Sequence, residues 1–295
     1  MAVMAVDPMH STEMMNTVTI SRPDGESVIK VGPGNPFLLI AGPCVLESEE
    51  LARQVAGQLK EITQRLAISL VFKSSFDKAN RTSLDSYRGP GLQEGLKILD
   101  AIRQDYQVPV IADVHETCQV EEAGGVLDVL QIPAFLCRQT DLLVAAARTG
   151  KAINLKKGQF LSPWDMTNAV NKIRAAGNNN VMLCERGFSL GYNNLVVDMR
   201  SLPVMRSLGC PVIFDATHSV QLPGGAGSSS GGQREFIPVL SRAAVAAGID
   251  GIFMEVHPQP DEALCDGPNH LPLDQVEELL KTLLKIHSIT TEITN

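Results

Sequence analysis

Two sets of residues in this sequence carry side chains suited to chemistry, and each member follows closely on a short apolar run. Lys73, Lys78, Arg81, Lys156 and Arg186 form the first set. Arginine offers a planar fork for bidentate contact with phosphate or carboxylate, and lysine a mobile point charge. Gathered at one site, these cations suit substrates that bear phosphate. Taken singly, each reads equally well as an ordinary surface cation; the signal is the set. Cys44, His218, Glu255 and Asp266 form the second set. A thiolate, an imidazole and two carboxylates make a plausible ligand set for a divalent transition metal, without selecting among zinc, ferrous iron, manganese and cobalt. Scattered along a chain, the four carry almost no metal signal, because a lone Cys after an apolar strand is usually a small core residue. Both sets need a fold that brings them together.

The elements that could do so alternate regularly from Pro36 onward. Strands are expected over Phe37–Ala41, Ser69–Lys73, Val110–Asp113, Val129–Ile132, Ala152–Leu155, Val181–Cys184, Val212–Asp215 and Gly251–Glu255. Most are continuously apolar, as parallel strands buried on both faces must be. Helical patterns lie between them. Glu47–Leu66 spaces Leu51, Val55, Leu59, Ile62 and Leu66 at intervals of three and four, and Gly91–Ile102 and Asp141–Ala147 read alike. Asp274–Ile286 repeats the pattern, with Asp274 placed as an N-cap. Eight such alternations are the sequence form of a (β/α)8 TIM barrel. A doubly wound open sheet gives a similar rhythm, and the count favours the barrel. The catalytic domain is assigned to residues 36–295 as a single domain. Within 17–35, two β-like runs, Thr17–Ile20 and Ser27–Val31, suggest a hairpin that closes the barrel's N-terminal end. Residues 1–16 read as a disordered tail.

In such barrels the active site lies at the C-terminal ends of the strands. Cys44 follows strand one, and Lys73, Ser75, Lys78, Asn80, Arg81 and Thr82 follow strand two. Asp113 ends strand three, Gln131 and Arg138 belong to strand four and its loop, and Lys156 and Arg186 end strands five and six. His218 follows strand seven, while Glu255 and Asp266 end and follow strand eight. Strands one, seven and eight are neighbours in a closed ring, so the metal set converges there.

The net charge of −8 argues against a nucleic-acid surface or an anionic membrane, though not against a local cationic cluster. No apolar run approaches a membrane span and no secretory leader is evident. The six cysteines lack a CxxC pair, so reduced thiols in the cytoplasm are expected, with Cys118, Cys137, Cys184 and Cys210 as packing residues. No nucleotide-binding glycine motif occurs, and no organic cofactor is expected. The Gly/Ser-rich loop Leu222–Gly232 reads either as a lid or as a passive connector.

Several segments, in order along the chain, carry a family resemblance. FKSSFDKANRTS (Phe72–Ser83), SYRGPGL (Ser86–Leu92), DVHE (Asp113–Glu116), QIPAFLCRQTDL (Gln131–Leu142), FDATH (Phe214–His218) and CDGP (Cys265–Pro268) resemble the 3-deoxy-D-manno-octulosonate 8-phosphate synthases. The KANR stretch separates this family from its shikimate-pathway sister, which carries a KPRT-type sequence there. The resemblance implies condensation of phosphoenolpyruvate with D-arabinose 5-phosphate, for lipopolysaccharide or a plant wall polysaccharide, by a homotetramer. It implies that Lys73, Ser75, Lys78, Lys156 and Arg186 hold phosphoenolpyruvate, and that Asn80, Arg81 and Thr82 hold the sugar phosphate. Thr82 stands where the family usually has Ser. Asp113 and Gln131 would meet sugar hydroxyls, Arg138 would reach a neighbouring subunit's site, and His218 and Asp266 would support proton transfer. Cys44 matches the metal-dependent branch, whereas CDGP matches the metal-independent one, so the chain mixes two signatures. A four-carbon-aldose or amino-sugar synthase, and a non-catalytic barrel, are the alternatives.

Overall fold

The computed structural model describes residues 16–225 and 231–294. The expected tail, apart from Asn16, and the centre of the Gly/Ser-rich loop lie outside the described residues. Eight parallel strands close into a ring: Leu38–Gly42, Ser69–Lys73, Val110–Asp113, Val129–Ile132, Ala152–Lys156, Val181–Glu185, Val212–Asp215 and Gly251–His257, barrel strands one to eight. Each pairs with the next, and strand eight pairs with both seven and one. The expected ends move by no more than two residues. Only Ser69 among the strand residues is not buried, which is why the runs read as apolar rather than alternating.

The alternation is present but hidden by burial on both faces. Leu38, Ile40, Val71, Ile111, Val129, Ala152, Met182, Cys184, Ile213 and Phe253 form one cluster inside the ring. Their immediate neighbours, such as Leu39, Phe72, Ala112, Leu130 and Phe214, pack outward with the helices. With a period of two, the next inward positions are Lys73, Asp113, Gln131, Asn154, Lys156, Asp215 and Glu255. Strand parity therefore delivers the polar set to one end of the barrel. It also explains why Lys156 faces inward while the adjacent Lys157 pairs outside with Glu185 at 3.4 Å.

The hairpin forms as antiparallel strands Val18–Ser21 and Val28–Val31. Its Val18, Ile20, Ile29 and Val31 join the interior cluster and plug the barrel. Ile20, 1% exposed, is a suitable probe of that plug. Ile20→Ala is expected to lower unfolding free energy by about 2–5 kcal/mol. Urea denaturation checks this, and an unchanged midpoint would mean that the hairpin contributes no packing.

The outer layer comprises α1 Glu49–Leu66, α2 Leu92–Tyr106, α3 Thr117–Val126, α4 Thr140–Arg148, α5 Met166–Ala175, α6 Ser201–Arg206, α7 Ile237–Ala246 and α8 Val276–Thr294. Ser48 caps α1 by accepting from the Leu51 N–H at 3.1 Å, and Val55, Leu59 and Ile62 are buried as their spacing requires. Asp274 is not the cap of α8: it lies in a 3₁₀ turn, Leu273–Gln275, that precedes the helix. Cys137, Cys184 and Cys210 are buried, but Cys118 is exposed on α3 and is no packing residue.

Candidate active site

The polar end of the barrel encloses a cavity of about 220 Å³. Lys78, Asn80, Arg81, Thr82, Asp113, Lys156, Arg186, His218 and Asp266 all line it. Lys73, Ser75, Gln131, Cys44 and Glu255 lie beneath its floor, none more than 1% exposed. Gly42 helps to set that floor: a Cβ there would stand 1.9 Å from the Lys73 carbonyl oxygen, so only glycine lets strands one and two approach so closely. Arg138 is not brought to the cavity. It is exposed on the strand-four loop, where its carbonyl accepts from Lys172 Nζ at 3.0 Å.

The cations do not form the strongly positive bowl that their types suggest, because most are already paired. Lys73 donates to Glu255 Oε1 at 2.5 Å and to the Cys44 carbonyl at 2.8 Å. Lys78 Nζ lies 3.5 Å from the same Oε1, Arg81 lies 3.8 Å from Asp266, and Lys156 lies 2.8 Å from Asp215. Burial opposes each buried carboxylate charge, but the lysines outweigh it. Lys78, Lys73 and Lys156 hold Asp113 below the usual carboxylate range, and Lys73 and Lys78 hold Glu255 well below it. Burial likewise opposes the charge on Lys156, which Asp215 more than restores. Among the described residues, Arg186 is the exception. It is 5% exposed; its guanidinium pairs with no carboxylate, donates only to Gln221 Oε1 at 2.9 Å, and leaves Nη1 buried without a partner. Burial, the largest influence, pulls its pKa below the ordinary arginine value. A buried guanidinium with a free donor is a seat for an anion.

A hydrogen-bonded row orders the floor. Ser75 donates to Asp113 Oδ2 at 2.7 Å, Gln131 to Asp113 Oδ1 at 2.8 Å, and Asn154 to Gln131 at 2.8 Å. Asp215, fully buried, binds Lys156 and also lies 2.8 Å from His218 Nδ1. That contact turns His218 Nε2 toward Glu255 Oε2, at 3.6 Å, and Asp266 Oδ2, at 4.0 Å. Burial keeps the His218 imidazole below its ordinary pKa despite Asp215. Asp215 and Asn154 were not among the candidate residues. For Asp215 the signal was available, since it lies two residues after inward-facing Ile213 and three before His218.

The second set also converges. Cys44 Sγ is 3.8 Å from Asp266 Oδ2, and His218, Glu255 and Asp266 place donor atoms within 4.8 Å of one another. Glu255 Oε2 is buried with no hydrogen-bond partner, a debt that a cation would settle. Asp266 adopts a left-handed conformation, φ 50°, which Asp tolerates better than most residues. The donor set suits a divalent transition metal. Two neighbours escaped the sequence reading. Cys265 Sγ lies 3.0 Å from Cys44 Sγ, and His270 Nε2 lies 3.6 Å from Glu255 Oε2. Burial opposes a charge on His270, yet Cys44 and Glu255 raise its pKa to about 9; this corner of the site favours positive charge.

The profile of the DAHP synthetase I family matches residues 13–292. Similar curated proteins include a 2-dehydro-3-deoxyphosphooctonate aldolase of Desulfotalea psychrophila, 65% identical over 279 residues, covering 95% of this chain and 99% of that protein. A protein of the same name from Syntrophotalea carbinolica is 63% identical, covering 88% of this chain and 94% of its own. One from a Geobacter species is also 63% identical, covering 90% and 97%.

Proposed function

From the premise that the chain belongs to the DAHP synthetase I family, we propose that it is a 3-deoxy-D-manno-octulosonate 8-phosphate synthase, condensing phosphoenolpyruvate with D-arabinose 5-phosphate and water and releasing phosphate. C3 of the enol attacks the sugar aldehyde, water adds at C2, and the C–O bond to phosphate breaks. Charge develops at C2 and on the aldehyde oxygen, so preorganised charges matter more than a covalent nucleophile. Arg186 carries this reading: its buried, unpartnered Nη1 beside the Lys156 and Lys78 side chains fits an anionic substrate.

In this reading Arg186, Lys156 and Lys78 touch phosphoenolpyruvate, while Lys73 and Ser75 act from below by fixing Glu255 and Asp113. Asn80, Arg81 and Thr82 take the sugar phosphate at the wall, and Asp113, held by Gln131, meets a sugar hydroxyl. His218 and Asp266, both at the cavity, handle the proton of the attacking water. Cys44, His218, Glu255 and Asp266 are the residues that would hold a divalent cation: the last three share one group of donors, and Cys44 adjoins it through Asp266 at 3.8 Å. When bound, such a cation supplies Lewis-acid stabilisation at the aldehyde oxygen. It also restores positive excess to a bowl whose cations are largely neutralised by carboxylates.

The reaction belongs to the cytoplasm, and among the described residues no helix is long and apolar enough to cross a membrane. Assembly into a homotetramer is supported by an apolar surface on which Trp164, Phe188 and Leu190 are exposed, and it would give exposed Arg138 a neighbouring cavity to enter. The functional test is phosphate release from phosphoenolpyruvate with D-arabinose 5-phosphate against D-erythrose 4-phosphate. We expect kcat/KM at least about a hundredfold higher with the five-carbon sugar, since a site built to bind hydroxyls rejects substrates lacking them. Equal rates would favour the shikimate-type synthase, and no release from either would favour a binding protein.

A further inference from the structure

We propose that His270 is an additional protein ligand of the divalent cation, sharing Glu255 and Cys44 with the set described above. The inference rests on the cation reading and extends it to a residue outside the resemblance. His270 is wholly buried. Neither of its ring nitrogens has a hydrogen-bond partner, and neither does Glu255 Oε2, which faces it. Buried polar atoms are nearly always satisfied, so two such atoms facing each other, His270 Nε2 and Glu255 Oε2, mark a place that something else completes.

A direct hydrogen bond does not complete it. His270 Nε2 and Glu255 Oε2 are 3.6 Å apart, beyond the range of such a bond. Two donors bound to one cation at ordinary metal–ligand lengths stand roughly 3.3–3.6 Å apart. The thiol of Cys44, a Glu255 oxygen and a His270 nitrogen all lie within 4.8 Å of one another. Glu255 Oε2 thus stands 3.6 Å from the Nε2 atoms of two imidazoles, His218 and His270.

The His270 ring is also held in place, as a ligand must be. Its backbone N–H donates to Gly267 at 3.0 Å, and the next residues, Leu271–Pro272, pair in parallel with Val256 and His257 at the end of strand eight. The ring stacks on His257, with centroids 5.9 Å apart and an interplanar angle of 25°. His257 is itself fixed by accepting the Gln259 N–H at Nδ1. The backbone and the stack direct Nε2 of His270 toward Glu255 before any ion arrives.

The test is zinc binding by the full-length wild type, His270→Ala and His270→Gln, by competition with a chromogenic chelator. X-ray absorption on the zinc-loaded proteins counts imidazole ligands. We expect the imidazole count to be lower by one in each variant than in the wild type, with affinity lower by about ten- to a hundredfold. His270→Gln keeps a polar side chain in the buried slot, and circular dichroism verifies that each variant is folded. Wild-type affinity in the folded variants, or the same imidazole count in the variants as in the wild type, overturns the assignment of His270 alone. A wild type that binds no zinc overturns the cation reading on which it rests.

Discussion

Arg186→Ala is expected to lower kcat/KM for phosphoenolpyruvate by about two to four orders of magnitude while leaving the substrate-free protein at least as stable as the wild type. The two halves of this result share one cause. A buried charge without a directly paired counter-charge costs stability; the Arg186 guanidinium has only Gln221 Oε1 as an acceptor, with Nη1 unsatisfied, and burial outweighs the more distant Asp215 and Asp266. Removing the guanidinium relieves that burden and strands only one neutral acceptor, worth about 1 kcal/mol. An incoming phosphate or carboxylate, by contrast, loses its bidentate partner. Inorganic phosphate or phosphoenolpyruvate should raise the melting temperature of the wild type and do so much less in the variant. Arg186→Lys should recover only part of the loss, since a point charge does not reproduce the fork. Wild-type kcat/KM in a folded Arg186→Ala protein would remove Arg186 from the site. The same truncation at Lys156 reads less cleanly, because it leaves Asp215 with one buried cation fewer.

The barrel was legible because its strands are buried on both faces and its helices are not. Continuous runs such as Val181–Glu185 alternate with amphipathic stretches such as Glu49–Leu66, and that contrast follows from layering alone. The polar end was legible for the same reason: residues ending strands two, three, five and eight have nowhere to point but into the mouth or onto a helix. Strand parity resolves which, and it would have added Asp215 and Asn154 to the candidates. It also separates Lys156 from Lys157, which charge alone does not.

What the sequence did not carry was pairing. Residue types announce five cations, but Glu255 and Asp215 each neutralise their neighbours only through distances that closure of the ring creates. The near-balance of charge in the cavity is therefore a tertiary property. His270 escaped for a related reason: it sits in a loop fixed by a two-residue pairing with strand eight, and no periodicity marks so short an element. The misplaced cap at Asp274 is of the same kind, since a 3₁₀ turn ahead of α8 resembles its first turn in sequence. Arg138 is exposed on the strand-four loop and does not line the cavity of its own chain.

Cys44→Ala is expected to abolish tight metal binding and most of the activity, whereas Cys44→Asn should keep measurable turnover in the presence of chelator. Cys44 is the one soft donor of the proposed set, and its thiol is wholly buried. Burial above all, and then the hydrogen bond with Cys265, raises its pKa well above the ordinary thiol value. The metal-free side chain is therefore protonated, and a cation must displace that proton to gain the thiolate. Metal affinity should accordingly rise with pH and proton release should accompany uptake; Cys44→Ala should release one proton fewer, leaving the one that His270 gives up on binding. Alanine offers nothing to Asp266 Oδ2, which lies 3.8 Å from the sulfur. Asparagine places an amide there that can donate to the carboxylate and hold the left-handed Asp266 in register without an ion. Lys73 remains anchored in either variant, because it bonds the Cys44 carbonyl and not its side chain. Elemental analysis paired with assays in chelator reads all three proteins. Full wild-type activity after exhaustive chelation, with no metal retained, would defeat the metal-dependent reading and leave Cys44 as packing beside Cys265. Equal loss in Ala and Asn would instead show that the sulfur is needed for itself, and that the CDGP loop does not let this barrel work without an ion.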